Sequence, residues 1–179
     1  FTGDWRSGSA AALHADGHWF ESDIAHYKYL KTGIMEKLYK LLSDTQATLF
    51  ALFQKTWVYH WNVVGSEFYQ FHKVFGEQYE TMFEEIDRLT EHMRFLNIKP
   101  VPTLTRISEV SHISETNSKL DDIGMVNDLI KGNETLVDLL RQVGEESEEQ
   151  KSRGTTNLVD DLNEAHGKFI WMLRSFTEK

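Results

Sequence analysis

Residues 57–95 read WVYHWNVVGSEFYQFHKVFGEQYETMFEEIDRLTEHMRF, and the fold turns on this stretch. Phe68, Phe71, Phe75, Tyr79, Met82, Phe83, Ile86, Leu89 and Met93 recur at spacings of three and four, which predicts a long amphipathic helix over about 66–96. Gly65 interrupts the pattern before it, and Ser66 stands where a capping hydroxyl is expected. Upstream, Ile34, Leu38, Leu41, Leu42, Thr45, Leu49, Leu52 and Phe53 predict a helix from Gly33 to about Asn62.

Downstream, NIKPVPTLTRISEVSHISET (97–116) holds both prolines, Pro100 and Pro102, and is expected to be a long connection with a short helix near 104–111. Ile123, Val126, Leu129, Ile130, Leu136, Leu139, Leu140 and Val143 predict a third long helix over about 122–148. Gly154 marks the next turn, and Leu158, Leu162, Phe169, Ile170 and Leu173 predict a fourth helix over about 155–176. Four long helices with one extended middle connection define an all-α four-helix bundle with a single long crossover. Residues 1–32 lack a clear period and carry Gly3, Gly8 and Gly17; they are expected to form an N-terminal arm, with a short helix near 20–28, ahead of a bundle over 33–179.

Composition narrows the chemistry. A length of 179 residues suits one domain, and no apolar run approaches the roughly 18 to 20 residues that span a bilayer. Cysteine is absent, which excludes disulfides, thiolate catalysis and sulfur-bound zinc and leaves metal chemistry to His, Asp and Glu. A cytoplasmic location is consistent with that count. The formal charge of −9 attracts cations and opposes contact with nucleic-acid phosphates. Phe1 in place of Met implies a processed, trimmed or incomplete start, and no signal peptide is recognisable.

Four residues in the opening stretch carry ligand chemistry: His60, His72, Asp87 and Glu91. Asp87 and Glu91 are four apart, so their carboxylates share a helix face and can hold one cation. His72 and Asp87 are 15 apart, which is only about 60° around a helix but about 22 Å along it. They cannot meet on one ion within a chain. Two copies packed antiparallel about a two-fold axis near residue 80 would bring His60 and His72 of one against Asp87 and Glu91 of the other. Spacing permits this arrangement without requiring it.

The run YHWNVVGSEFYQFHKVFGEQYETMFEEIDRLTEHMRFL (59–96) closely resembles the ferroxidase signature of the Dps family, the miniferritins named as DNA-binding proteins of starved cells. The likeness lies in a His-Trp-Asn opening, a second His twelve residues on, and an Asp and a Glu fifteen and nineteen beyond that; these are His60, His72, Asp87 and Glu91. It extends more loosely over 34–176, including KFIWML with Trp171. The resemblance implies a ferritin-like bundle, a dodecameric shell built from two-fold dimers, and an inter-subunit di-iron site. It also implies oxidation of iron(II), often by hydrogen peroxide, with storage of ferric mineral and protection against oxidative damage. Trp61 would stand beside the site, as a redox-active neighbour or as an interface aromatic.

One departure is visible. Gly76 occupies the position, four after His72, where the family usually has an acid. Glu77 is adjacent but about 100° away on a helix, and Glu80 is two turns from His72. A weakened second iron position is therefore expected, and Gly76→Asp is expected to raise activity. A shell protein that lacks efficient oxidation is the competing reading, with a DNA-compacting protein a further alternative. Residues 1–33 carry Asp4, Arg6, Asp16, Glu21, Asp23, Lys28 and Lys31, and the last ten carry Arg174, Glu178 and Lys179, so neither end is a basic tail. DNA binding is expected to be weak or absent.

Other polar groups admit plainer readings. His14, Asp16, His18, Glu21, Asp23 and His26 have ligand-like density, and a further divalent metal in the arm competes with simple solvation. The acidic run GEESEEQ (144–150) is a solvated helix end, or with Glu148 and Glu149 the lining of a cation pore, although Asn157 stands where relatives often carry an acid. The sole Glu-x-x-His, Glu109 to His112, falls in the prolyl connection, which weakens a within-bundle di-iron site.

Overall fold

A computed structural model describes residues 33–116 and 119–177. The arm, with the short helix and the ligand-like cluster expected in it, lies outside the described residues. The chain divides into Phe1–Glu36 and Lys37–Lys179, and the second unit contains the bundle. Its helices are α1 (Gly33–Asn62), α2 (Phe68–Phe95), the short α3 (Leu104–Val110), α4 (Asp122–Glu149) and α5 (Arg153–Arg174). No strand occurs among the described residues.

Two helix boundaries differ in mechanism from the sequence expectation. Ser66 does not cap α2; the N-cap is Glu67, which makes no side-chain capping bond. Gly65, at φ +125°, turns the chain as its place in the pattern predicts, and its carbonyl accepts from Phe68 N at 3.2 Å. Gly154 does not form the second turn either, since it lies inside the first turn of α5. Lys151 makes that turn at φ +56°, with Ser152 N donating to Ser147 O at 2.8 Å in the manner of a glycine helix stop. Hydroxyl and carboxylate caps occur at Thr103, which accepts from Arg106 N, and at Asp121, which accepts from Gly124 N.

Cross-helix contacts fix the topology. Lys37 meets Glu146 and Lys55 meets Asp128, so α1 and α4 run antiparallel. Phe71 meets Phe176 and His92 meets Thr155, so α2 and α5 run antiparallel. Helices α1 and α2 form one hairpin (His60 against His72, Phe53 against Phe83), and α4 and α5 form another (Ser147 against Thr156). Helices α2 and α4 are then parallel, so the segment joining them must travel the length of the bundle. That segment carries α3 and is pinned to α1: His112 N donates to Thr48 Oγ1 at 3.0 Å, and Val101 N to Gln46 Oε1 at 2.8 Å. This is the ferritin-like crossover. The Glu-x-x-His in it holds no metal geometry, because Glu109 pairs with Arg106 and His112 with Asp44.

The core is the sum of the four apolar stripes. Leu42, Leu49, Leu52, Phe71, Phe75, Met82, Leu89, Met93, Leu129 and Leu136 are fully buried, each contributing about 2 kcal/mol of transfer free energy. One polar layer interrupts it. His166 of α5 is buried between Asn133 of α4, whose Oδ1 lies 2.6 Å from Nδ1, and Glu85 of α2, whose Oε2 lies 3.0 Å from Nε2. Asn133 is held the right way round because its Nδ2 donates to Leu129 O at 2.7 Å.

Candidate metal centre

His60 ends α1 and His72 begins α2, and the tight turn at Gly65 brings them together. Their rings stack with centroids 3.8 Å apart and planes within 19°. Each ring is tied to the other's backbone: His60 Nδ1 donates to His72 O at 2.7 Å, and His72 Nδ1 donates to His60 O at 2.8 Å. A carbonyl oxygen only accepts, so both Nδ1 atoms carry the proton. In the neutral rings each Nε2 then presents its lone pair, and neither has a partner among the described residues. A backbone carbonyl that fixes Nδ1–H and leaves Nε2 basic is the usual support of a metal-binding imidazole.

Stacking sets a second constraint. A ring nitrogen's lone pair lies in the plane of its ring, and two nearly parallel planes 3.8 Å apart share no common point near both nitrogens. In this arrangement the two imidazoles could not both hold one ion. Phe68 stacks on the outer side of His72 with centroids 5.1 Å apart, and Tyr79 sets its ring against His60 at the same separation, so aromatic walls hold both rings.

Asp87 and Glu91 sit far down α2, both exposed, and among the described residues neither pairs with either histidine. Among the described residues no group of three His, Asp or Glu converges within a single copy. The structure thus brings together His60 and His72, and leaves Asp87 and Glu91 apart from them. His92, beside Glu91, turns away: its Nε2 meets Thr155 Oγ1 at 2.9 Å, and burial pushes its imidazole below the usual range.

Gly76 lies one turn beyond His72 and under the edge of His60. A Cβ placed there would stand 3.3 Å from His60 Cε1 and 3.4 Å from Nδ1. The missing acid thus leaves a seat that the His60 ring occupies. Neither the reciprocal carbonyl bonds nor this seat was legible from spacing, because both depend on the path of the turn. Trp57, Trp61 and Phe83 are exposed on the same side of the hairpin as the histidines, with Trp57 in ring contact with Trp61 at 4.6 Å and with Tyr79 at 6.1 Å.

Comparison with known proteins agrees with this architecture. The family model for the ferritin-like domain matches residues 39–179. A low temperature-induced protein of Nostoc is 34% identical over 140 residues, covering 77% of this chain and 78% of its own. The crystallographic structure of Dps from Thermosynechococcus elongatus superposes with a TM-score of 0.80 at 27% identity, covering 83% of this chain and 94% of that one. Dps from Vibrio cholerae, described as a member of a broad superfamily of ferritin-like diiron-carboxylate proteins, gives 0.77 at 27% identity over 80% and 90% of the two chains. The chain belongs to the Dps family of ferritin-like miniferritins. Iron storage and oxidative protection are the general business of that family. No described helix is long and apolar enough to cross a membrane.

Proposed function

We propose that the protein is a ferroxidase that binds iron(II) between two subunits. His60 and His72 of one copy face Asp87 and Glu91 of the other, and the oxidised iron is stored in a closed, dodecameric shell. The observation that carries this reading is the paired, outward-facing Nε2 atoms of His60 and His72, preset for metal by reciprocal Nδ1–carbonyl bonds. Two imidazoles with two carboxylates suit iron(II) and its ferric product alike. The separation of the carboxylates from the imidazoles along one continuous helix supports a site completed by a second copy. His72, Gly76, Tyr79, Phe83 and Asp87 follow one another at three- and four-residue steps along one face of α2. The exposed Trp57, Trp61 and Phe83 give that face the apolar character of a subunit contact.

Binding two ferrous ions side by side lets hydrogen peroxide take one electron from each and leave as water, so that free hydroxyl radical is not formed. Stacked imidazoles serving separate ions fit such a pair. Gly76 withholds a carboxylate from the site, and a shell with slow oxidation is the second reading that this residue favours. The charge of −9 supports storage without tight DNA contact, and a cytoplasmic setting belongs to the family reading.

Mixed assembly tests the shared site. Subunits carrying His60→Ala and His72→Ala, and subunits carrying Asp87→Asn and Glu91→Gln, should each fail to oxidise iron(II) in stopped flow. Co-refolded together, they should recover activity, because half of the mixed dimers' sites regain all four ligands. Recovery absent in verified mixed dimers would refute a site built across two copies.

A further inference from the structure

The end of α1 that carries His60 also reaches α4, through two residues on another face of the helix. Tyr59, the neighbour of His60, is fully buried, and its phenol donates to Asp128 Oδ2 at 2.6 Å. Lys55, one helical turn earlier, is 2% exposed and donates from Nζ to the same oxygen at 2.8 Å. A buried ammonium is held only against an opposite charge, and hydrogen bonds to a carboxylate are about twice as strong as neutral ones. Tyr59 is also a residue on which the helix closes, because Val63 N donates to Tyr59 O at 2.9 Å. His60 O follows it in the last turn, where carbonyls run out of helical donors, and accepts from His72 Nδ1 at 2.8 Å. The first turn of α4 touches the next segment of chain: a Cβ on Gly65 would stand 2.8 Å from Asp122 Oδ2. Helix α4, which carries none of the four ligand residues, thus brackets both the end of α1 and the turn into α2.

We infer that Lys55, Tyr59 and Asp128 form a clamp that positions the metal-binding imidazoles of His60 and His72. The inference rests on the ferroxidase reading above. Tyr59 and His60 leave the helix about 100° apart, so the clamp acts on the histidine through the backbone. With phenol and ammonium both fixed on Asp128, the turn from Lys55 to Tyr59 cannot unwind or rotate without breaking a charge-assisted bond. The His60 carbonyl then stays where His72 Nδ1–H reaches it, and the His60 ring stays within reach of the His72 carbonyl. Releasing the clamp lets the end of the helix fray, as helix ends do without tertiary partners. Both reciprocal bonds loosen together, since each needs the same backbone position. The Nε2 lone pairs then lose their fixed direction while staying chemically intact. Lys55, Tyr59 and Asp128 are positioning residues, and their loss should weaken ion binding more than it weakens the bundle.

The test measures cobalt(II) affinity by visible absorption beside melting temperature, on assembled protein. Tyr59→Phe removes one hydroxyl and keeps the ring in the core. It should weaken cobalt binding roughly threefold to tenfold, the fold-change that one net hydrogen bond is worth. The triple variant Lys55→Met/Tyr59→Phe/Asp128→Leu replaces the whole polar group by apolar side chains, an exchange that commonly preserves stability. It should melt close to wild type, yet bind cobalt at least as weakly as Tyr59→Phe and with a broadened d–d band. Tyr59→Phe decides alone should the triple variant not fold. Val143→Ala, buried toward the other end of α4, controls for simple loss of stability: it should melt lower with cobalt affinity unchanged. Wild-type affinity in the clamp variants, or an equal loss of affinity in Val143→Ala, would overturn the clamp and leave the histidine pair standing as ligands. Absence of cobalt and iron binding in wild type would overturn the ferroxidase reading and the clamp with it.

Discussion

His166 and the His60–His72 pair occupy one bundle and use their ring nitrogens in opposite ways. His166 is wholly buried and spends both nitrogens on protein groups, Asn133 Oδ1 at 2.6 Å and Glu85 Oε2 at 3.0 Å. His60 and His72 each spend one nitrogen on a carbonyl and leave the other without a described partner. The first arrangement closes three helices around a shared proton: with Nδ1 donating to Asn133, one further proton lies between Nε2 and Glu85, whichever of the two atoms holds it. The second leaves one lone pair on each neutral ring, the half of a coordination shell that the proposed site requires. Counting partners nitrogen by nitrogen separates the closed histidine from the open pair where burial alone would not, since His60 and His72 are themselves half-buried.

The largest effect should come from breaking the closed cluster. Glu85→Ala or His166→Ala leaves the remaining buried polar group without its partner, which typically costs about 3–5 kcal/mol. For a bundle of this size that is a fall in melting temperature of roughly 10 °C or more. Glu85→Gln keeps a neutral hydrogen bond to His166 and should cost much less. Cobalt binding by the folded fraction of each variant should stay at the wild-type level. If Glu85→Ala melts like wild type, the cluster does not hold the helices together.

The contrast also explains what sequence made legible. The four helices and their order were readable because apolar residues at three- and four-residue spacing must share a face, and the long prolyl segment had to be the crossover. One cap and one turn were misread, while the break at Gly65 was read correctly. Ser66 and Gly154 are a good cap and a good turn former by type, yet Glu67 takes the N-cap position and Lys151 adopts the left-handed backbone of the second turn. Resemblance and spacing grouped His60, His72, Asp87 and Glu91; one copy brings together only the two histidines, and their Nδ1–carbonyl reciprocity needed three-dimensional proximity across the turn. His166 escaped notice as a polar anchor. Its signal was present, since it stands between Leu162 and Phe169 on an apolar helix face where a lone polar residue must find a buried partner.

A substitution of intermediate effect separates packing from ligation at the open pair. Gly76→Ala places a methyl group 3.3 Å from His60 Cε1, so the ring must shift by a few tenths of an ångström. Such crowding costs about 1 kcal/mol and should weaken the ion held by His60 roughly fivefold. Helix propensity pulls the other way on stability, because Ala in a helix interior is favoured over Gly by about 0.5–1 kcal/mol. The two nearly cancel, so the variant should melt close to wild type and yet bind cobalt more weakly. Gly76→Asp meets the same crowding while adding a carboxylate, so the gain expected from sequence alone has a steric cost to overcome. Undiminished cobalt affinity in Gly76→Ala would mean that the glycine is not the seat of the ring.

The smallest effect concerns a carboxylate neutralised by a surface cation rather than by an imidazole. Glu146 of α4 is bound by Lys37 Nζ at 2.5 Å and by Gln150 Nε2 at 2.9 Å. The hydrogen bond from Lys37, aided by that from Gln150, holds the Glu146 carboxyl below the usual carboxylate range against the opposing effect of burial. A depressed carboxyl binds fewer protons folded than unfolded, so its stabilising contribution is complete above the unfolded value of about 4.3 and is lost as pH falls below it. Lys37 is largely solvent-exposed, so salt should screen the pair. Melting curves of wild type and Glu146→Gln should then differ slightly at pH 7, converge toward pH 3, and converge at neutral pH in high salt. Glu85 should not follow that salt dependence, because its partner is buried with it. If the Glu146→Gln difference ignores salt while the Glu85→Gln difference responds to it, the division between a closed internal pair and an open surface pair is drawn in the wrong place.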